Sequence, residues 1–348
     1  MKRILVTGAA GYLGSHTCLK LVENGYEVYG IDSLTNGHIE SIKTINFHFR
    51  GKIHKEIKFI KLDLLDYRAF EDFFENFYSQ NIIFDGVIHF AGLKSVANSI
   101  NNPILYWENN LNSTLNLLKV MSKFEVNSLV FSSSATVYSQ INKSPLSENS
   151  VLGPINPYGE TKLANEKLLT QYLTSTENNF KVASLRYFNP IGAHTSSLIG
   201  ECNKEEPNNI FPLLCDVAYG NREVFKVFGN DWPTKDGTCI RDYIHVRDLV
   251  HAHYLAFERI KHLSGCLDYN LGNGNGFSVL EIIKACELIT NRKVNYTFVD
   301  KRRGEPACLV ADSSKANLDL KWITKHSNID SIIKSAWQWH TKLHSDII

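Results

Sequence analysis

The 348-residue sequence is short of most features that mark a specialised environment or partner. Charge of one sign is missing: lysine plus arginine number 37 against 36 for aspartate plus glutamate, a net charge of +1. So even a balance gives no electrostatic case for nucleic acid or an anionic membrane as the main partner. Only Lys301, Arg302 and Arg303 cluster, and three adjacent cations suit a small anion. No apolar run approaches the length of a membrane span. Seven cysteines (Cys18, Cys202, Cys215, Cys239, Cys266, Cys286, Cys308) are scattered, odd in number and without a C-x-x-C pair. That argues against a disulfide framework or a structural zinc site and suits a reducing cytoplasm. The thirteen histidines show no metal-binding spacing, since His251 and His253 would face different sides of a helix, and no metal is expected. Met1 to Val6 runs into Thr7-Gly8 too soon for a signal-peptide apolar region, so a cytoplasmic location is expected.

What is present is an ordinary globular composition, 43% hydrophobic and 21% charged, in a chain long enough for one large domain or two joined ones. Strand-like runs at Arg3–Val6, Tyr26–Ile31, Ile57–Leu62, Gly86–Phe90, Leu129–Ser132 and Val182–Tyr187 alternate with helical periods. The helices fit near Ser15–Asn24 and over 67–79, 103–123 and 158–177. Repeated βα units build a parallel sheet covered on both faces, here an α/β, Rossmann-type doubly wound sheet. From about Asn189 the texture changes, with irregular connections at Asn189-Pro190, Gly192, Pro207-Asn208-Asn209 and Gly229-Asn230. Shorter elements follow near 223–228, 278–290 and 294–298. The division expected is a cofactor lobe over 1–188, to which stretches near 240–257 return, and a smaller mixed α/β substrate lobe over 189–348.

Two groups of residues carry chemistry. Gly8-x-x-Gly11-x-x-Gly14 follows the first strand and opens a helix. Glycine there allows a tight turn and lets the backbone approach a pyrophosphate, while the helix terminus offers N–H groups and positive dipole. Asp32, ending the second strand, can accept from both ribose hydroxyls and repel a 2′-phosphate, which favours NAD over NADP. Asp63, after the third strand, fits either an adenine contact or a helix cap. The second group is Ser134, at the carboxyl end of an apolar strand, with Tyr158 and Lys162 four apart on one helix face. A phenol beside an ammonium sheds its proton more readily than a free one, as removing a proton from a sugar hydroxyl requires.

These residues carry a resemblance to extended short-chain dehydrogenases/reductases, and within them to the UDP-glucose (UDP-galactose) 4-epimerases. It runs through Thr7–Thr17, Val87–Val96, Phe131–Tyr138, Pro157–Lys162, Leu185–His194, Pro207-Asn208-Asn209, Val227–Asp231 and Asp236–His245. The resemblance implies NAD as a tightly held catalyst and a transient 4-keto sugar, with Tyr158 as base, Ser134 on the same sugar oxygen and Lys162 on the nicotinamide ribose. Lys162, with the cationic nicotinamide, would also lower the Tyr158 pKa. It implies a cofactor site of Gly8, Gly11, Tyr12, Leu13, Gly14, Asp32, Asn36, Asp63, Leu64, Phe90, Ala91, Gly92, Lys94, Asn109, Tyr158, Lys162 and Phe188. The implied UDP-sugar site is Lys94, Ser134, Tyr158, Phe188, Asn189, Asn209, Ile210, Phe228, Arg241, Tyr243, Arg302, Glu305 and Leu309. Phe228 would pack on uracil and the arginines would clamp phosphates. A homodimer through the 103–123 and 158–177 helices is implied as well.

Two departures stand out. The family's R-R-x-G-D run here ends in Glu305, and the position four residues on is Leu309 where a tyrosine restricts some relatives to plain hexoses. A smaller residue leaves room at the sugar's 2-substituent, so UDP-N-acetylglucosamine and UDP-N-acetylgalactosamine are expected substrates too, unless a shifted loop refills the space. A strict UDP-N-acetylhexosamine 4-epimerase is the neighbouring alternative. A 4,6-dehydratase would need an acid and base where this chain has Ala135 and Thr136. A decarboxylase or uronate epimerase fits the Arg302 region less well. A non-catalytic NAD-sensing regulator on the same fold would typically have lost Tyr158 or Lys162.

Overall fold

The computed structural model describes residues 2–51, 55–175, 179–202, 204, 207, 209–263 and 265–345. Residues 176 and 177 of the expected helix and Asn208 lie outside the described residues. The first part of the chain runs β1 (Arg3–Thr7), α1 (Tyr12–Glu23), β2 (Glu27–Asp32), α2 (Ile39–His48), β3 (Lys58–Lys61), α3 (Tyr67–Ser79) and β4 (Gly86–His89). It continues through α4 (Val96–Asn101), α5 (Pro103–Lys123), β5 (Ser128–Ser134), α6 (Pro157–Ser175) and β6 (Lys181–Tyr187). Then come β7 (Asn189–Ile191), α7 (Ile210–Tyr219), β8 (Phe225–Phe228), β9 (Ile240–His245), α8 (Val246–Ile260) and β10 (Gly265–Leu271). The chain closes with β11 (Gly276–Ser278), α9 (Val279–Thr290), β12 (Tyr296–Val299), β13 (Cys308–Leu309), α10 (Ser314–Leu320) and α11 (Ile329–Ser345).

Seven strands form one parallel sheet in the order β10-β6-β5-β4-β1-β2-β3. Side chains alternate across it. Ile4 and Val6 face a core shared with α1 and α8, while Leu5 faces a second core that includes Phe70 and Phe74 of α3 and Leu117 of α5. Both faces are therefore apolar and covered, which is why these strands read as nearly continuous hydrophobic runs. The strand order reverses between β1 and β4, and such a switch opens a crevice beyond the strands' carboxyl ends.

The α/β doubly wound class is as expected, and the six strands and four helices read from the sequence lie within a few residues of their observed bounds. Among the elements not anticipated, three border this sheet. In α2 only Ile42 and Ile45 are buried, too sparse a stripe to read as a period. The short α4 begins at its Ser95 cap and buries a single serine. In β10, only the last three of its seven residues are fully buried, as suits the sheet's edge. Residues on both sides of 188 build this sheet, because α8 packs on α1 and β10 pairs with β6.

The remaining strands make a small mixed sheet around β9, which pairs with β7, β11 and β13, and a separate β8–β12 pair. A third core, with Phe211 and Leu214 of α7, Ile282 and Ile283 of α9, and Ile332 and Ile333 of α11, holds the helices against it.

Candidate active site

The crevice widens into one cavity of ≈ 1080 Å³. Every site residue singled out from the sequence, for cofactor or for substrate, lines it.

The glycine turn meets the requirement for close backbone approach. Gly8 has φ +67°, and a Cβ there would lie 2.8 Å from the Ala91 nitrogen. A Cβ on Gly14 would lie 2.0 Å from the Gly8 oxygen, so the turn tolerates no side chain there. Gly11 caps α1 without any side-chain hydrogen bond, leaving first-turn N–H groups for a ligand. Leu13 lies in that first turn, and the Tyr12 hydroxyl donates to Gly192 O at 2.6 Å, tying the helix start to the loop after β7. Asp32 accepts from the amides of Ala10 (3.0 Å) and Leu34 (2.8 Å). Burial raises its pKa above the ordinary carboxylate value, against the pull of those amides. A backbone turn that admits no Cβ, a helix start without a side-chain cap and an acidic strand end together fit a dinucleotide.

Asn36 accepts from the Lys204 amide, and Leu64 is buried behind the cavity wall. Asp63 makes a local turn with the Leu65 amide at 2.9 Å, and the cap of α3 is Asp66, which accepts from Ala69. The helix cap that was the alternative reading of Asp63 therefore falls three residues later. Phe90, Ala91 and Gly92 follow β4, and this segment is fixed by a residue the sequence reading missed. Asn110 is buried and holds both the amide (2.7 Å) and the carbonyl (3.1 Å) of Leu93. Its neighbour Asn109 was singled out instead; the helical register that buries one and half-exposes the other was the available signal. At the switch point itself His89 is buried and hydrogen-bonded to Thr7 (2.7 Å) and Thr114 (3.3 Å). Burial lowers its pKa to about 3, so it is a neutral strut.

Ser134 ends β5, and its hydroxyl accepts from the Thr136 amide (3.2 Å) and hydroxyl (3.0 Å). Ser134 acts on Tyr158 by lowering its pKa. Lys162 reaches over the Tyr158 ring, 5.8 Å from its centroid, and donates to Ser132 O at 2.7 Å. All three side chains are buried. Burial, with Tyr187 next, pushes the Tyr158 phenol well above its ordinary value, and Ser134 only partly offsets this. Burial also lowers Lys162 to about 8, against the opposing charge of Glu166. Desolvation is the largest influence on both groups. The sequence reading also missed what braces this helix. Glu166 and Arg186 form a buried pair at 2.7 Å, and Arg186 holds the Tyr138 hydroxyl at 3.2 Å.

The opposite wall carries charge. Glu305 binds Arg241 (3.2 Å) and Arg302 (3.5 Å) at once. The Arg302 guanidinium lies 3.7 Å from the centroid of the Phe228 ring, the face expected to take a uracil. Lys94 and Asn209 both bind Glu201 across the cavity. Phe188 is buried, Asn189 is half-buried opposite Tyr243, and Ile210 opens α7. Tyr243 is wholly buried against Phe211 and makes part of the wall's packing. Leu309 is half-buried on β13, paired with Arg241. Ala135 and Thr136 line the cavity where a dehydratase would place its acid and base.

Comparison with known proteins agrees with this geometry. Residues 4–272 match the model of the NAD dependent epimerase/dehydratase family. The chain is 45% identical to the UDP-glucose 4-epimerase of Bacillus subtilis over 97% of its own length and 96% of the relative's. It superposes on the UDP-glucose 4-epimerase of Bifidobacterium longum, solved with NAD+ and UDP, with a TM-score of 0.91 at 39% identity and 98% coverage of both chains. The UDP-Glc/GlcNAc 4-epimerase of Campylobacter jejuni is similar at 34% identity, with a TM-score of 0.82 over 98% of this chain and all of that one. The chain belongs to the NAD dependent epimerase/dehydratase family.

Proposed function

We propose that this protein inverts carbon 4 of a UDP-hexose, interconverting UDP-glucose and UDP-galactose, and that it also accepts the UDP-N-acetylhexosamines. The observation that carries the reading is the convergence of Ser134, Tyr158 and Lys162 with the glycine turn and the arginine pair in one cavity. Gly8, Gly11, Gly14 and Asp32 would hold NAD, with Lys162 toward its nicotinamide end. When bound, NAD supplies a reversible two-electron acceptor for carbon 4.

The chain's own residues do the rest. Tyr158 takes the 4-hydroxyl proton and returns it after the sugar has turned, so neither protons nor electrons are consumed. Because burial holds the phenol protonated, its base form needs positive charge brought beside it, and Lys162 is the chain's contribution. Ser134 holds the reacting oxygen in line with the phenol. Arg241 and Arg302 exchange Glu305 for the diphosphate, fixing the nucleotide while the sugar end stays free to rotate in the wide cavity. Phe228 gives the uracil a flat apolar face.

The wider substrate range rests on Leu309, which leaves the wall near the sugar without a bulky side chain, and the similar Campylobacter jejuni enzyme is named for both sugar types. Parallel NMR assays of UDP-galactose and UDP-N-acetylgalactosamine test the reading. Turnover of both is expected; turnover of UDP-galactose alone refutes the wide pocket, and turnover of neither refutes the activity. A homodimer through α5 and α6 belongs to the same proposal, supported by Ile104, Leu105 and Trp107 exposed on α5. Light scattering on the purified chain checks it. A cytoplasmic location is proposed as well, in keeping with seven unpaired thiols.

A further inference from the structure

The last helix carries His340 and His344 one turn apart, and α7 brings Asp216 to them from a distant part of the chain. The i, i+4 spacing puts both imidazoles on one helix face, a pattern passed over when the histidines were judged to lack metal spacing. One ligand atom from each of the three residues lies within 4.8 Å of the others. His340 Nε2 is 3.4 Å from Asp216 Oδ1. That is close to the edge of a tetrahedron whose ligands stand roughly 2.1 Å from a central zinc ion.

We infer that Asp216, His340 and His344 form a binding site for a divalent transition-metal ion of the zinc class, clamping α7 to α11.

A structural His–Asp pair is the competing explanation, and the hydrogen bonding speaks against it. His340 is only 7% exposed, yet its Nε2 makes no hydrogen bond despite the nearby carboxylate. A pair built for its own sake would close that bond, since an unsatisfied buried nitrogen is costly. Two ligand atoms 3.4 Å apart that make no hydrogen bond with each other are the arrangement a cation completes. The surroundings are those of a ligand set. The Gly220 and Asn221 amides both donate to the Asp216 carbonyl, holding the end of α7 that carries the carboxylate. Trp337 stacks on His340, and Tyr219 packs against both imidazoles. His344 and Asp216 are half-buried, so solvent reaches the point between the ligands and a fourth position stays open. Two imidazoles and a carboxylate favour zinc, copper or nickel over magnesium or calcium. None of the three residues lines the catalytic cavity, although Ile210 and Leu213 at the other end of α7 do.

The test is titration of the full-length chain, stripped with a chelator, with Zn²⁺ against a chromophoric indicator, alongside the visible spectrum of the Co²⁺ form. One ion per chain and a tetrahedral Co²⁺ spectrum are expected. His340→Ala and His344→Ala should each weaken binding by more than the roughly tenfold that loss of an outer-sphere partner costs. The exposed His262→Ala should leave it unchanged. Asp216→Asn keeps the side chain's shape and guards against misfolding: Zn²⁺ should raise the melting temperature of the wild type and not of this variant. No binding at micromolar Zn²⁺, or equal affinity in the three ligand variants, overturns the assignment.

Discussion

The sheet side of the cavity is positioned by backbone and burial, with glycines that admit no Cβ, a neutral buried His89 and the buried trio Ser134, Tyr158 and Lys162. The opposite wall is positioned by charge, with one Glu305 shared between two arginines and one Glu201 shared between Lys94 and Asn209. The first wall meets the same chemical groups in every cycle and gains from rigidity. On the proposed reading the second releases a diphosphate and admits another, and Glu305 gives both arginines a carboxylate to return to between substrates.

Substitutions on the sheet side should be the more damaging. Tyr158→Phe should lower turnover by about 10²–10⁴-fold, the usual worth of a positioned acid–base group, while NAD stays bound. Single-turnover assays and the absorbance of the retained cofactor check both halves. Arg186→Ala leaves Glu166 buried and unpaired, and should cost about 3–5 kcal/mol in urea unfolding. On the opposite wall Lys301→Ala, which breaks a part-exposed pair with Asp231, should cost no more than about 1 kcal/mol. Equal losses would erase the contrast between the walls.

Acid should act on both sheets. Burial lowers His16 and His89 beside the large sheet, and His245 at the end of β9, to about 3 from an ordinary 6.5. The unfolded chain binds more protons than the folded one between those values. The stability these histidines contribute is therefore complete above pH 6.5 and lost as pH falls toward 3. A urea midpoint that declines across this range, less steeply in His89→Asn, is expected. The mildest effect belongs to Leu309→Tyr, which should remove N-acetylhexosamine turnover and spare the plain hexose; parallel NMR assays read it.

The difference between the walls also explains what was legible in the sequence. Backbone rules leave local marks, so the glycine turn, Asp32 and the Tyr158–Lys162 face were visible in short windows. The ion pairs join residues far apart in the chain, and no window contains both Arg241 and Glu305 or both Glu166 and Arg186. Resemblance supplied Arg241, Arg302 and Glu305 as site residues but not their mutual pairing. Asn110 and His89 escaped because their work is to hold neighbouring backbone and strands, which residue type alone does not announce. Helix spacing shows the amine beside the phenol and not the depth at which both are buried, so the burial that raises one and lowers the other was not legible.

The central claim is that carbon 4 is oxidised and restored within one cavity, without exchange with water. UDP-galactose deuterated at carbon 4, incubated with the purified chain and followed by NMR, tests it most directly. The account predicts UDP-glucose that keeps its deuterium at carbon 4, with no reduced cofactor released. Deuterium lost to water, or no UDP-glucose at all, would contradict it.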